Sequence, residues 1–145
     1  MLIHGILIPD DLFYLVEHQT WARQLQEGGF RLGITALGLK ASGEIYMCRP
    51  KSVGADLAQG RAMAVVELAK SIVSVKTPLS GRVMRVNEAL EERPELIWQD
   101  PYGQGWLLDL QASDWKGEQA ALVSGEAARQ SMEHYAWLNQ IQPQA

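Results

Sequence analysis

Short runs of apolar and β-branched residues, separated by glycine, proline and polar breaks, make up most of the first 110 positions of the chain. Runs of this kind predict β-strands, and the breaks predict turns. The predicted strands lie at 12–16, 20–26, 30–34, 44–48, 64–67, 72–76, 82–87 and 106–110. A short helix is predicted over 35–42, with Gly43 as its C-terminal cap, and a loop or helical turn over 88–95.

The last part of the chain follows a helical rather than a strand pattern. Ser124 is a candidate N-cap for a helix over about 124–140. Many short strands followed by one helix predict a mainly β sandwich or barrel-like domain with a short helix and a C-terminal helix. We expect a single domain over 1–145 with its β core at about 12–110. The apolar residues at helical spacing are Ala127, Met132, Tyr135, Ala136 and Leu138.

Composition narrows the class of protein. The chain has 145 residues, of which 47% are hydrophobic, and this is enough for one domain with a modest core. A formal net charge of −4 disfavours a nucleic-acid partner, because phosphate backbones are bound by basic patches. The longest apolar run, at 2–8, is too short to span a bilayer and lacks the features of a secretory signal. With Cys48 as its single cysteine, the chain is expected in a reducing, cytoplasmic compartment without a membrane partner.

The most informative position is Lys70. It lies in the short break between the predicted strands 64–67 and 72–76, which predicts a hairpin with the lysine at its tip. The small neighbours Ala69 and Ser71 would leave the amine accessible to the active site of another protein. Such a geometry suits the attachment of a prosthetic group that swings between partners.

Several segments around this lysine follow one another at fixed spacing. They are Glu67-Leu68-Ala69-Lys70, Pro78-Leu79-Ser80-Gly81, Val86-Asn87-Glu88-Ala89-Leu90, Pro94-Glu95-Leu96-Ile97 and Pro101-Tyr102-Gly103-Gln104-Gly105-Trp106-Leu107. Together with Tyr14–Arg23 and Gly33-Ile34-Thr35 upstream, they resemble the H-protein of the glycine cleavage system. The resemblance covers roughly 13–110, and several motifs in order are far more specific than a single tetrapeptide.

The resemblance implies a flattened lipoyl-type β-sandwich, also called a barrel-sandwich hybrid. It implies that lipoic acid is covalently attached to Lys70 as N6-lipoyllysine. It further implies that a lipoate-protein ligase recognises Glu67, three residues before the lysine, and Gly81, eleven after it. A protein of this kind is a non-catalytic carrier subunit of a multi-enzyme system, with no catalytic residues and no metal site.

The chain departs from the family pattern around the arm. Ser71-Ile72-Val73-Ser74 replaces Ala-Ala-Ser-Asp, and 36–40 and 48–54 also differ. These departures resemble the lipoate-binding proteins of sulfur-oxidising prokaryotes, which serve a heterodisulfide-reductase-like complex. That resemblance implies a lipoyl-lysine arm that shuttles sulfur-bound intermediates and electrons in sulfur oxidation, on a carrier that works most simply as a monomer.

Three alternatives remain open. The first is an ordinary H-protein that carries an aminomethyl group, with glycine decarboxylase, aminomethyltransferase and dihydrolipoyl dehydrogenase as partners. The second is a biotinyl carrier, although such domains place the lysine between two methionines and Ala69 and Ser71 stand there. The third is an interaction module in which Lys70 is an unmodified surface residue.

The remaining candidates for chemistry are weaker. Cys48 is either a reactive thiol near the arm or, more commonly for a lone cysteine in a strand, a small buried hydrophobe. His4, His18 and His134 lack a second ligand at metal-binding spacing, which disfavours a zinc site.

Overall fold

A computed structural model describes residues 1–143 of the chain. The strands are β1 (Leu2–Ile3), β2 (Ile6–Leu7), β3 (Phe13–Leu15), β4 (Thr20–Gln24), β5 (Phe30–Ile34), β6 (Met47–Pro50), β7 (Asp56–Leu57), β8 (Ala62–Glu67), β9 (Ile72–Lys76), β10 (Gly81–Val86) and β11 (Leu108–Ala112). The α-helices are α1 (Ala36–Ser42), α2 (Ala89–Glu92), α3 (Leu96–Gln99), α4 (Trp115–Glu118) and α5 (Gly125–Leu138). Two short 3-10 helices cover Val16–His18 and Gln119–Ala121.

Two antiparallel sheets form the body of the protein. The larger has the strand order β3-β4-β5-β11-β10-β7, and the smaller has the order β6-β8-β9. Apolar residues of both sheets share one buried cluster, which includes Leu32 and Leu110 from the larger sheet and Met63 and Val66 from the smaller. This mainly β architecture, with short helices and a C-terminal helix, confirms the fold class expected from the sequence.

A second apolar cluster joins the two ends of the chain. The β1–β2 pair contributes Ile3, the following loop contributes Ile8, and α5 contributes Met132 and Ala136. Trp21 of β4 lies in the same cluster, so the cluster attaches both ends of the chain to the larger sheet. The longest helix, α5, has 14 residues, and within residues 1–143 no helix is long and apolar enough to cross a membrane.

The predicted helix after the third strand forms as expected. The Thr35 hydroxyl caps α1 by accepting a hydrogen bond from the Gly38 amide at 3.0 Å. Gly43 ends the helix with a φ of 88°, a left-handed conformation that glycine adopts without strain. Ser124 occupies the N-cap position of α5, although its side chain makes no capping hydrogen bond.

Several predicted boundaries were wrong. The strand expected at 44–48 runs instead over Met47–Pro50, into the predicted loop. Pro50 fits there because β6 is an edge strand, where a missing N–H leaves the sheet intact. The last strand is shifted from 106–110 to Leu108–Ala112, because the turn before it extends to Gly105 and Trp106 and Leu107 connect the turn to the strand. The sequence patterns did not predict β1, β2, β7, α3 or α4, all of which are four residues or shorter.

Candidate cofactor attachment site

Lys70 occupies a two-residue turn, Ala69–Lys70, that joins β8 to β9. The turn is closed by the Leu68 amide, which donates to the Ser71 carbonyl oxygen at 2.8 Å. Neither turn residue has a positive φ, so the turn differs from the type I′ and II′ turns that predominate in two-residue hairpins. Ordinary L-residues fit this conformation without strain, and a lysine therefore sits at the tip at no conformational cost. We call β8, the turn and β9 the Lys70 hairpin.

The side chain of Lys70 is open to solvent. Within residues 1–143 it makes no hydrogen bond and no ion pair. Ala69 and Ser71, its neighbours, are exposed as well. The structure therefore presents a primary amine at the tip of a supported hairpin, where the active site of another protein can enclose it.

Glu67 lies on the same hairpin, at the last position of β8. It pairs directly with Ile72 of β9 on one side and with Met47 of β6 on the other. Its side chain is exposed, and in the described part of the chain the carboxylate has no hydrogen-bond or ion-pair partner. Glu67 is thus available for contact with a second protein.

Gly81, the other residue that the resemblance connects with a ligase, has a packing role. It is buried at the start of β10, between β11 and β7. A Cβ atom at this position would lie 2.1 Å from the carbonyl oxygen of Gln111 and 2.8 Å from its carbonyl carbon. Only glycine lets the two backbones approach this closely.

A groove runs beside the inner face of the Lys70 hairpin, with a volume of about 180 Å³. Its apolar wall consists of Ile34, Ile45, Val66, Val73 and Val75, and its other lining residues are His18, Gln19, Gly38, Ser42, Ser74 and Tyr135. Burial raises the pKa of the Tyr135 phenol, which keeps its hydroxyl protonated as a donor. The sequence could not predict the groove, because its residues come from segments distant in the chain and share no motif.

Cys48 is the small buried hydrophobe, and the reactive-thiol alternative is wrong. It belongs to β6, its side chain is buried in the main core, and burial raises the pKa of its thiol to about 12. Since the thiolate is the nucleophilic form, this cysteine is unreactive at neutral pH.

The histidines stay apart. The Nδ1 atom of His4 lies 2.8 Å from the carbonyl oxygen of Ile141, His134 stacks on Trp137, and His18 lines the groove. Across residues 1–143 no three His, Cys, Asp or Glu residues lie close enough together to hold a metal ion.

Comparison with known proteins places this geometry in one family. The family model described as "Glycine cleavage H-protein" matches residues 12–135. The glycine cleavage system H protein of Mycobacterium leprae (strain Br4923) is 39% identical over 117 residues, covering 81% of this chain and 88% of that protein. The glycine cleavage system H protein 2 of Aquifex aeolicus (strain VF5) is 34% identical over 131 residues, covering 90% of this chain and 81% of that protein.

A solved structure agrees with the sequence relatives. The crystal structure of a glycine cleavage system H protein from Mycobacterium marinum superposes with a TM-score of 0.70 at 27% sequence identity. The match covers 92% of this chain and 100% of that structure. The fold, the family model and the relatives all agree, and the chain belongs to the glycine cleavage H-protein family.

Proposed function

We propose that Lys70 carries lipoic acid and that the chain serves as the carrier of the glycine cleavage system, holding an aminomethyl group on its lipoyl arm. Members of the family are non-catalytic carrier subunits with lipoic acid on a lysine. The observation that carries the assignment to Lys70 is its position: an exposed amine without a polar partner in residues 1–143, at the tip of a two-residue turn.

The surroundings of Lys70 fit a long acylated side chain. When attached, lipoic acid supplies a dithiolane that opens to two thiols, for two-electron redox chemistry and nucleophilic attack. Val73, at the edge of the groove, is three residues from Lys70, roughly 10 Å along the strand. A lysine extended by a fatty-acyl chain spans that distance, and the mixed apolar and hydroxyl lining suits an arm of this chemistry.

The attaching enzyme in this proposal is a lipoate-protein ligase that recognises Glu67 and depends on Gly81. Glu67 offers an exposed carboxylate three residues before Lys70, on the same hairpin. Gly81 keeps β10 close to β11, so its contribution is to the geometry of the domain. Glycine decarboxylase, aminomethyltransferase and dihydrolipoyl dehydrogenase are the proposed partners of the loaded monomer, in a reducing cytoplasm that suits a chain with one cysteine.

A second candidate function is the lipoyl carrier of sulfur oxidation, with a heterodisulfide-reductase-like complex as partner. One observation favours it: Ile72 and Val73, which replace smaller and polar residues of the family motif, are 66% and 40% exposed beside Lys70. An altered surface next to the arm indicates an altered docking partner. The relatives are glycine cleavage system H proteins, which favours glycine cleavage, and we therefore place this function first.

Intact mass and fragmentation test the attachment. Incubation with a lipoate-protein ligase, lipoate and ATP should add one lipoyl mass at Lys70; a biotinyl mass, an unchanged mass or a different site would contradict the proposal. Lys70→Arg should abolish the adduct, whereas the control Lys76→Arg, on the same hairpin, should leave it unchanged.

Reconstitution separates the two functions. The lipoylated chain with glycine decarboxylase, aminomethyltransferase and dihydrolipoyl dehydrogenase should support glycine-dependent release of carbon dioxide, and Lys70→Arg should not. If the lipoylated chain is inactive there but is reduced or oxidised by a heterodisulfide-reductase-like complex, the second function replaces the first.

A further inference from the structure

The groove beside the Lys70 hairpin has a lining without negative charge. Within residues 1–143, no aspartate, glutamate, lysine or arginine belongs to its walls. Glu17, Glu44 and Glu67 each adjoin a lining residue in the chain, but their side chains are exposed and lie outside the lining. The titratable lining residues are His18 and Tyr135. A histidine is neutral or positive, and burial raises the pKa of the Tyr135 phenol, so neither supplies a negative charge at neutral pH.

The polar groups of the lining offer little to a cation. Gln19 is committed to the fold, because its Nε2 donates to the Val16 carbonyl oxygen at 2.9 Å and its Oε1 accepts from the Thr35 hydroxyl at 2.5 Å. Ser74 stands where the family motif has aspartate, so the chain has a hydroxyl in place of an acid at the groove. The hydroxyls of Ser74 and Tyr135 have no hydrogen-bond partner in the described part of the chain.

A buried hydroxyl behind the groove wall also lacks a partner. Thr20 of β4 is fully buried, and within residues 1–143 its Oγ1 makes no hydrogen bond. Thr20 pairs directly with Ile34 of β5, so the two side chains stand on the same face of the larger sheet, and Ile34 lines the groove. Buried hydroxyls without a partner are uncommon in folded proteins. A thiol or disulfide sulfur seated against Ile34 would be a weak partner that brings no charge.

The size and polarity of the groove suit the sulfur-containing end of a lipoyl arm. An apolar cavity of roughly 150 Å³ is enough to bind benzene, and the groove has about 180 Å³. The dithiolane is uncharged, and its reduced dithiol is mostly protonated at neutral pH. An aminomethyl group ends instead in an amine that is positively charged when protonated. Moving such a charge out of water without a carboxylate to pair with it is strongly unfavourable.

We propose that the groove binds the uncharged, sulfur-containing end of the lipoyl arm and excludes the arm once it bears the aminomethyl cation. This inference rests on the proposed attachment of lipoate to Lys70. The uncharged end packs on the apolar wall formed by Ile34, Val66 and Val75. The loaded arm stays in solvent, where aminomethyltransferase reaches it without extracting it from the carrier. The groove thus distinguishes the states of the arm by charge.

Methyl NMR of the full lipoylated chain tests where the arm lies. In the oxidised state, and after reduction with a phosphine, the methyl signals of Val66, Val73 and Val75 should shift from their positions in the unmodified chain. Val53 is exposed and outside the groove, and its signals should stay in place. Formaldehyde and ammonium chloride then load the reduced arm: one thiol sulfur and the ammonia nitrogen each bond to the formaldehyde carbon, and the oxygen leaves as water. Loading should return the three shifted signals to their unmodified positions.

A charge placed in the groove should reverse the preference. His18→Glu adds a carboxylate to the lining, and His18→Gln is the matched neutral control. Hydrolysis of the loaded arm to the thiol, formaldehyde and ammonium, followed by intact mass, should slow about tenfold in His18→Glu and stay within about twofold of the wild type in His18→Gln. The pair Ser74→Asp and Ser74→Asn repeats the comparison at a second lining position.

The outcomes separate this inference from the proposed function. Signals of Val66, Val73 and Val75 that stay shifted after loading would overturn the exclusion of the cation. Signals that never shift would overturn binding of the arm in the groove, and equal hydrolysis in His18→Glu and His18→Gln would overturn the role of charge. In each of these cases the attachment of lipoate still stands. Failure of the wild-type chain to acquire a lipoyl mass at Lys70 would instead overturn the proposed function.

Discussion

Within residues 1–143 the chain has two hairpins with two-residue turns, and their tips are held in opposite ways. In the β1–β2 hairpin, His4 and Gly5 have φ values of 51° and 80°, as a type I′ turn requires. The His4 ring is bonded to the Ile141 carbonyl oxygen at 2.8 Å. In the Lys70 hairpin, Ala69 and Lys70 have negative φ, and the lysine has no polar partner within 1–143.

The difference shows that one hairpin stabilises the fold with its tip, whereas the other exposes its tip to solvent. The β1–β2 hairpin places Ile3 in the cluster with α5, and its tip is attached to the segment after that helix. The Lys70 hairpin is held by its strands, through Val66 and Val75 in the main core, and its tip contributes nothing to packing. The residue at the free tip can therefore be chosen for chemistry alone.

The largest expected effect comes from exchanging the two tips. A Lys70→Arg chain should lose the lipoyl adduct completely, and adding His4→Lys should not restore it, because the β1–β2 tip lacks Glu67, the residue that the proposed ligase recognises. Intact mass after ligase treatment measures both. The stability of Lys70→Arg in urea should stay within about 0.5 kcal/mol of the wild type, as for other exposed positions. An adduct at position 4 would remove the distinction between the tips.

The Cys48 thiol, on the strand next to the Lys70 hairpin, should be unreactive toward alkylating reagents. Because burial raises the pKa of Cys48 to about 12, its alkylation at pH 8 should be slower than that of the unfolded chain by roughly a thousandfold. The group also makes stability pH-dependent: it favours the folded state fully below about pH 9, and this contribution is lost as pH rises toward about 12. Iodoacetamide labelling followed by mass spectrometry, with and without urea, measures the rates. Rapid labelling of the native chain would show that Cys48 is accessible after all.

Substitution at the tip of the β1–β2 hairpin should lower the stability of the protein, whereas substitution at the tip of the Lys70 hairpin should not. His4→Val removes the bond to Ile141 and places a β-branched residue at positive φ, which should cost about 2 kcal/mol of unfolding free energy. Lys70→Val should cost less than about 0.5 kcal/mol. Urea unfolding of both variants gives the comparison. Equal losses would mean that the two tips are held alike.

The smallest effect tests the turn types. Gly5→Ala puts a Cβ at a φ of 80° and should destabilise the protein by about 1 kcal/mol. Ala69→Gly should cost about 0.5 kcal/mol, through the greater freedom of the unfolded chain and not through strain. Thermal unfolding resolves the order of the two. If Gly5→Ala proves neutral, the β1–β2 turn is not of the left-handed kind.

Alternation and turn residues predicted the strands of the Lys70 hairpin well, since β9 begins and ends where expected and β8 starts only two residues earlier. Phe30–Ile34 was also predicted with the correct ends. The β1–β2 hairpin was not predicted, because two-residue strands carry no periodicity and His-Gly is a weak turn signal beside Asn-Gly or Asp-Gly. The C-terminal end of β6 was misplaced because a proline in a strand is allowed only at a sheet edge, and edges are a property of the assembled sheet.

The candidate site likewise has features that the sequence predicted and features that only the structure shows. Lys70, Glu67 and Gly81 are predictions from motif spacing, and glycine at 81 was expected to relieve crowding or to adopt a positive φ. Which backbone crowds Gly81, that of Gln111, is visible only across the β10–β11 pair. The groove beside β9 and the inertness of Cys48 likewise depend on residues that come together from different parts of the chain.

By itself, the sequence determined the family and the alternation that places Lys70 at the tip of a hairpin, because these depend on local spacing and on the period of two along a strand. Only the tertiary structure decided which face of that hairpin is open, which backbone needs a glycine and which tip is tied down. Those outcomes depend on packing between segments far apart in the chain, where burial and close approach are set by both partners together.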